Sequence, residues 1–457
     1  MKSAPCYIIV AALFGALVSG SLTTTGMFMD GLIYSNVAAN MAEGVGSFWH
    51  PVYTATHHPD FYQHPPLAMG MLAFFYRLFG THLWVTKLYM ALTVLLCAWL
   101  TVRLWMRLGG KRENGWMPLL MWTLVPIVTH FAFQGMLENT MVLFDLGAIL
   151  LLLRSERKAM NGVLAGLLLA AAFMTKGFTG LFPLVLPLLL YGTQAALPAE
   201  KHGAQAALPA AIIQTVALLV GLLLPLVIMA LTVPDARGYF SNYMQQQVLA
   251  GWSQGEVHRW QIIVYFLRNT AIAIGVVLLV AIVNKGAVQK PTRVQWAMCA
   301  LVACAVLPMM VSTRQREFYL LTAMPMVAVL LALLIEEPVA RWIKPSKVLT
   351  YIALVLLFGA VALNVIRFGT EGRDAQLQRD LEVIAPHLER GEMVTVPTPL
   401  YFDYKLQGYY YRQCRVSLGD QQRCRHLLTT ADYPADSAYC EVPLPTEQYR
   451  LYALSAK

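Results

Sequence analysis

The sequence predicts an all-α polytopic membrane protein carrying a small C-terminal α/β extracytoplasmic domain, and three observations predict it. Of 457 residues, 58% are hydrophobic and only 13% charged, whereas a soluble domain is about half apolar and a quarter charged. Apolar runs able to cross a bilayer recur through residues 1–366 and then cease. From residue 367 the composition turns soluble, with 11 Lys/Arg and 12 Asp/Glu. A cytosolic enzyme, a disordered chain and a disulfide scaffold are thereby excluded. The formal charge of +9 lies in the membrane part, because residues 367–457 carry a net −1. No basic run is interleaved with aromatics, which argues against nucleic-acid binding.

The apolar segments fall near 4–25, 84–105, 116–134, 138–153, 161–176, 178–192, 209–232, 261–284, 294–312, 318–335 and 347–366, about eleven spans. The fifth and sixth are separated only by Lys176-Gly177 and read as a tight hairpin or a partly re-entrant pair. With a cytoplasmic N-terminus, fifteen basic residues fall on inner segments, among them Lys2, Arg103, Arg107, Arg154 and Lys201, and six fall on longer outer ones. That is the positive-inside pattern. An odd span count then exports residues 367–457 from a cytoplasmic (inner) membrane to the periplasmic side. Val18-Ser19-Gly20 could pass for a signal-peptide end, but the run is long and the next segment looks tied to function.

The first outer loop, 26–83, is the longest. From Asp30 a helix-like stretch puts Tyr34, Val37, Ala38 and Met41 on one face and ends at Gly44, which suits a helix lying along the membrane surface. Phe48-Trp49-His50-Pro51 and His57-His58-Pro59-Asp60 through His64-Pro65-Pro66-Leu67 follow, with aromatics fit for an interface. In the tail, Leu377, Leu381, Ile384 and Leu388 predict a helix over 375–390 ended by Gly391, and 393–396 reads as a strand. Cys414, Cys424 and Cys440 lie in this exported part, where one disulfide among them is expected.

A transporter would place ionisable residues within its spans. The notable ones here sit at the outer ends: Asp30, Glu138, Lys176, His258, Arg268, Arg314, Arg316, Glu317 and Tyr319. Six segments thus bring both signs of charge to one depth, as a site for an anionic lipid headgroup and a polar co-substrate requires.

Several motifs carry a resemblance. An acidic residue after the first span, then Tyr34, an Ala-rich helix, Phe48-Trp49-His50-Pro51 and Pro65-Pro66-Leu67 before a helix ending in Phe79-Gly80, is similar to the first loop of GT-C glycosyltransferases. Met136-Leu137-Glu138-Asn139, Thr175-Lys176-Gly177 and Arg314-Gln315-Arg316-Glu317-Phe318-Tyr319 with Pro325 in register resemble further motifs of that superfamily. The branch resembled is that of aminoarabinose lipid A transferases and dolichyl-phosphate-mannose protein mannosyltransferases. Two departures stand out: Gly31 follows Asp30 where paired acids are common, and His64 stands where Lys often precedes Pro-Pro.

The resemblance implies a GT-C-like fold over 1–366 and a transferase for a hexosyl or pentosyl group on a polyprenyl (undecaprenyl) phosphate donor. Inversion at the anomeric carbon is implied, toward a lipid A or other glycolipid, glycan or protein acceptor. Asp30 is then the base, Glu138 binds acceptor or sugar, and Lys176, Arg268, Arg314 and Arg316 are candidates for the phosphate with His64 assisting. Tyr34, His58, His258 and Tyr319 complete the substrate-binding set. Each has a plainer reading: Asp30 and Glu138 as helix caps, Lys176 and Arg268 as snorkelling cations, Arg314 and Arg316 as loop solvation. No cofactor is required. A divalent metal is the alternative raised by His50, His57, His58 and His64 beside Asp60, though their spacing matches no standard zinc motif. The competing function is a flippase or transporter of a lipid-linked saccharide.

Overall fold

The computed structural model describes residues 3–194, 207–249, 258–286, 288–312, 314–344, 346–433 and 435–455, so Lys2 and Lys201 lie outside the described residues. The chain starts with α1 (Ala4–Leu17) and its short continuation α2 (Ser19–Leu22). The long connection that follows holds α3 (Met29–Glu43) and α4 (Leu67–Phe79) ahead of α5 (Leu83–Arg107). Next come α6 (Trp116–Thr123) and α7 (Pro126–Phe131), one apolar segment broken where Pro126 supplies no N–H to the preceding turn. Then follow α8 (Leu137–Leu152), α9 (Lys158–Lys176), a 3-10 stretch over Gly177–Val185 and α10 (Leu186–Gly192). The body is completed by α11 (Ala207–Thr232), α12 (Pro234–Tyr243), α13 (Gln261–Val283), α14 (Arg293–Val306), α15 (Met324–Trp342) and α16 (Lys347–Arg367).

Every apolar segment expected from the sequence is thus helical. Among the described residues, six stretches are long and apolar enough to cross a membrane by themselves: 83–107, 158–192, 208–232, 261–283, 293–311 and 347–367. The others are shorter, interrupted or, in α15, more polar. Large apolar side chains such as Leu231, Ile282, Val355 and Phe358 stand bare on the outside, which suits hydrocarbon rather than water. The protein is a multi-pass membrane protein. Its core packs Leu146 and Ile149 of α8, Leu169 of α9, Met298 and Leu301 of α14 and Met326 and Val329 of α15 in one cluster. Asp145 of α8 sits mid-span, away from the charges at the outer helix ends; it is fully buried, and among the described residues neither carboxylate oxygen has a hydrogen-bond partner.

The tail folds as a small α/β unit. Beyond α17 (Ala375–Ile384) come β1 (Met393–Thr395), α18 (Thr398–Tyr401), α19 (Tyr404–Cys414), β2 (Ser417–Gly419), β3 (His426–Thr430), β4 (Tyr439–Glu441) and β5 (Tyr449–Leu454). The sheet runs β2-β1-β3-β5-β4, parallel where β1 meets β2 and β3, antiparallel where β5 meets β3 and β4. Buried Asp380 of α17 accepts the backbone N–H groups of Glu447, Gln448 and Tyr449 at 2.8, 2.7 and 2.8 Å, fixing the start of β5. The expected helix over 375–390 stops at Ile384 and tightens to a 3-10 turn, because Pro386 has no N–H to continue it. The expected disulfide is absent: all seven cysteines are free. Cys414 ends α19, Cys424 precedes β3 with its Sγ toward the Gln422 carbonyl, and Cys440 sits on the outermost strand beside Ser455.

The tail also changes the environment of α3. This helix ends at Gly44 in the left-handed region as its sequence requires (φ 80°), yet every residue from Gly31 to Met41 is buried. The face expected to look outward is covered by α19. Asn36 Nδ2 donates to the Gly408 carbonyl (2.8 Å), Arg412 Nη1 to Ser35 Oγ (3.2 Å) and Arg415 Nη1 to Asn40 Oδ1 (2.6 Å).

Candidate active site

Asp30 lies in the first turn of α3, but the cap position belongs to Phe28, so the carboxylate is not spent on capping. The helix dipole favours an acid there. One turn on, the Tyr34 hydroxyl hydrogen-bonds it, and Lys176 and Arg316 act on it electrostatically. Burial pushes the Asp30 carboxyl above its usual range; the two cations and Tyr34 pull the other way. The phenol of Tyr34 is raised well above its ordinary range, chiefly by burial.

Gly31 explains the absence of a second acid. A Cβ at this position would collide with the Gln134 carbonyl, because α3 packs backbone to backbone against the 134–135 turn. No side chain fits there. The same turn anchors the start of α3, since Phe28 N–H donates to Gln134 Oε1 at 2.6 Å, and three residues later α8 opens with Glu138.

Glu138 and Lys176 form a buried ion pair through Oε1 and Nζ. The Lys176 ammonium also sits over the rings of Phe318 (5.1 Å) and Tyr319 (5.0 Å), while Glu138 Oε2 has no partner among the described residues. Lys176 closes α9 because Gly177 adopts φ 73°, ψ −144°, where a Cβ would also strike the Tyr243 hydroxyl. Arg314 and Arg316 flank Gln315. Buried Gln315 donates to the Arg259, Met309 and Ser312 carbonyls (2.7, 3.2 and 2.9 Å) and accepts from Ile262 N–H (2.6 Å), clamping the loop that carries both arginines.

Beside these groups opens a cavity of about 380 Å³. Its lining includes the polar His64, Lys176, Arg314 and Tyr319 and the apolar Phe178, Phe182, Val248, Pro308 and Met309. Burial and the Lys176 charge hold His64 well below the usual histidine range, so its imidazole is neutral and offers one N–H. Tyr243 and Gln247 also line the cavity; only the fold, which lays the segment after α12 beside Lys176, identifies them.

Asp30, Tyr34, His64, Glu138, Lys176, Arg314, Arg316 and Tyr319 are therefore brought together. Of the rest of the expected set, Arg268 and His258 lie elsewhere, and His58 sits behind the cavity-lining Gln63. Arg268 pairs with Glu317 and lies over the Tyr265 ring at 5.2 Å, largely exposed. His258 stacks on Trp260 (centroids 5.8 Å). His58 faces the tail, with Nε2 3.3 Å from the Tyr404 hydroxyl and 3.0 Å from Gln63 Nε2. The histidine-rich stretch is divided among separate surroundings: His50 reaches toward Asp235 (3.6 Å), and His57 packs among Tyr53, Tyr401 and Tyr404 with its pKa lowered to about 4 by burial. Among the described residues no three His, Cys, Asp or Glu side chains gather as a metal site.

A helical membrane body, a long connection folded onto its end and a small sheet domain packed on that connection make up the fold. The structure of ArnT from Cupriavidus metallidurans in the apo state superposes with a TM-score of 0.66 at 14% identity, covering 98% of this chain and 97% of that one. The same protein bound to undecaprenyl phosphate gives 0.66 at 15% identity with the same coverage. The archaeal oligosaccharyltransferase AglB from Archaeoglobus fulgidus, in complex with an inhibitory peptide and a dolichol-phosphate, gives 0.53 at 10% identity over 93% of this chain and 69% of that one. Residues 63–219 match the family model of dolichyl-phosphate-mannose-protein mannosyltransferase. A comparison with curated proteins gives no match. The chain thus shares the fold of the ArnT structure.

Proposed function

We propose that the protein is an integral-membrane glycosyltransferase that moves a sugar from a polyprenyl-phosphate donor to a hydroxyl or phosphate oxygen of an acceptor, with inversion, at the outer face of the cytoplasmic membrane. The carrying observation is the cavity whose lining combines Lys176, Arg314, His64 and Tyr319 with apolar side chains, next to a carboxylate outside it. That combination suits a phosphate on a lipid tail. The solved relatives bound to undecaprenyl phosphate and dolichol-phosphate support the same donor class.

In the proposed step the acceptor oxygen attacks the anomeric carbon and its proton passes to an Asp30 oxygen. The bond from that carbon to the phosphate oxygen breaks, and the electron pair leaves on the lipid phosphate. Burial raises the Asp30 pKa, which makes it a better proton acceptor near neutrality. Lys176, Arg314 and Arg316 meet the growing charge on the leaving phosphate. Glu138 acts on the donor through Lys176, whose ammonium it holds at the cavity edge. No step here calls on a metal. The flippase or transporter alternative has one feature in its favour, the mid-span Asp145, but that residue does not line the cavity of Lys176 and Arg314.

The test is turnover with synthetic polyprenyl-phosphate sugars in detergent. Asp30→Asn should lower kcat by about 10²–10⁴-fold, the range for loss of a general base, with donor affinity little changed. Full turnover in the variant would remove Asp30 from the mechanism.

A further inference from the structure

A second groove lies at the other end of the membrane body. It is bounded by α5, α8 and α9, has a volume of about 490 Å³, and is lined by Arg103, Arg107 and Arg154 around Gly147, Leu150 and Leu168. Glu138 opens α8 and Arg154 follows its last turn; 16 helical residues separate the two ends by about 24 Å. The groove is therefore on the opposite side from Asp30, the side that the basic-residue distribution assigns to the cytoplasmic leaflet.

We propose that this groove binds an anionic phospholipid, with the phosphate among the three guanidiniums and an acyl chain along the apolar floor. Three features carry the assignment. First, the lining is purely cationic where it is charged, and among the described residues none of these arginines is ion-paired to a carboxylate. Second, two of the guanidiniums are set in place: Arg107 donates from Nε (3.0 Å) and Nη2 (2.5 Å) to the Leu153 carbonyl, and Arg103 lies over the Trp99 ring at 5.8 Å. Third, the floor exists because Gly147 lacks a side chain; a Cβ there would come 2.9 Å from Leu168 Cδ1. Below the arginines the rim is bare hydrocarbon, with Trp99 58% and Leu95 67% exposed. Arginine clusters over apolar grooves between membrane helices match lipid phosphates in charge and geometry.

The test uses delipidated full-length protein in neutral detergent, titrated with dioleoyl phosphatidylglycerol or dioleoyl phosphatidylcholine and read by native mass spectrometry. The parent should prefer the anionic lipid by on the order of tenfold. Arg103→Ala/Arg154→Ala should lose that preference, while Arg237→Ala, an exposed residue of α12 at the far end, should keep it. Equal binding of the two lipids by the parent, or a preference that survives in the double variant, overturns the proposal. So does competition by inorganic phosphate as strong as that by the lipid, which would make the apolar floor irrelevant. Should the double variant fail to fold, Arg154→Ala alone, at an exposed side chain, carries the same comparison.

Discussion

At residue scale the site turns on Asp30 and on the glycine beside it. The base role proposed for Asp30 requires it to be ionised before substrate binds, so kcat/KM should fall as pH drops through its pKa. Burial raises that pKa above the ordinary carboxylate value of about 3.9, and Arg316 is one of the charges opposing the rise. Arg316→Gln should therefore move the acid limb of the kcat/KM profile to higher pH, beyond any change in its height. A limb that moves to lower pH would separate Asp30 from the titration. Gly31 has a steric consequence. A methyl group there meets the Gln134 carbonyl, so Gly31→Ala must push α3 off the 134–135 turn. Such overpacking typically costs about 1–3 kcal/mol, and the same shift displaces Asp30 from Lys176. Both a lower Tm and a fall in kcat are expected, the second larger than stability alone would give.

At element scale the machinery is a meeting of helix ends: the first turns of α3 and α8, the last residue of α9 and the start of the 3-10 turn at Glu317–Thr322 before α15. The Glu138–Lys176 pair ties two of these ends in a buried place, where removal of one partner strands a charge at a cost of about 3–5 kcal/mol. Lys176→Met should lower the Tm in detergent strongly. Adding Glu138→Gln should restore much of it, yet turnover should stay lost, because Lys176 also lines the cavity proposed for the donor phosphate. Recovery of turnover in the double variant would make the pair a purely structural device. The helix ends were readable in the sequence since apolar runs mark them, and so were the charges placed there. Gln134, Gln315, Tyr243 and Gln247 were not. Their roles depend on which loops touch after folding, and a neutral amide or phenol in a loop carries no periodicity or sidedness. Arg268 misled for the complementary reason: a cation at a helix end looks alike in sequence whether it faces a cavity or, as here, a neighbouring Glu317.

At the scale of the whole molecule, composition alone separated membrane body from tail, but it gave no sign that the tail forms the outer wall of α3. That wall is polar and specific. Arg412 reaches Ser35 Oγ (3.2 Å), the Tyr76 hydroxyl (3.1 Å) and the Thr81 carbonyl (3.2 Å), and Arg415 pairs with Glu43 while donating to Asn40. At the other end of the helix, Met27 N–H donates to the Tyr409 hydroxyl at 3.0 Å. The turn that carries Asp30 is thus held between the body, through Gln134, and the tail, through Tyr409 and the two arginines. Arg412→Ala/Arg415→Ala removes side chains from buried polar partners, each such loss worth about 1–3 kcal/mol. The sheet of the tail is pinned separately by Asp380 and should not respond. Hydrogen exchange should accordingly quicken over residues 29–43 while residues 417–454 keep their protection, and kcat should fall with donor affinity largely kept, because no described residue of the tail lines the cavity of Lys176 and Arg314. Unchanged exchange over 29–43 would mean that α3 is held by the membrane body alone; equal loss of protection in both segments would mean that the arginines stabilise the tail rather than its grip on the site.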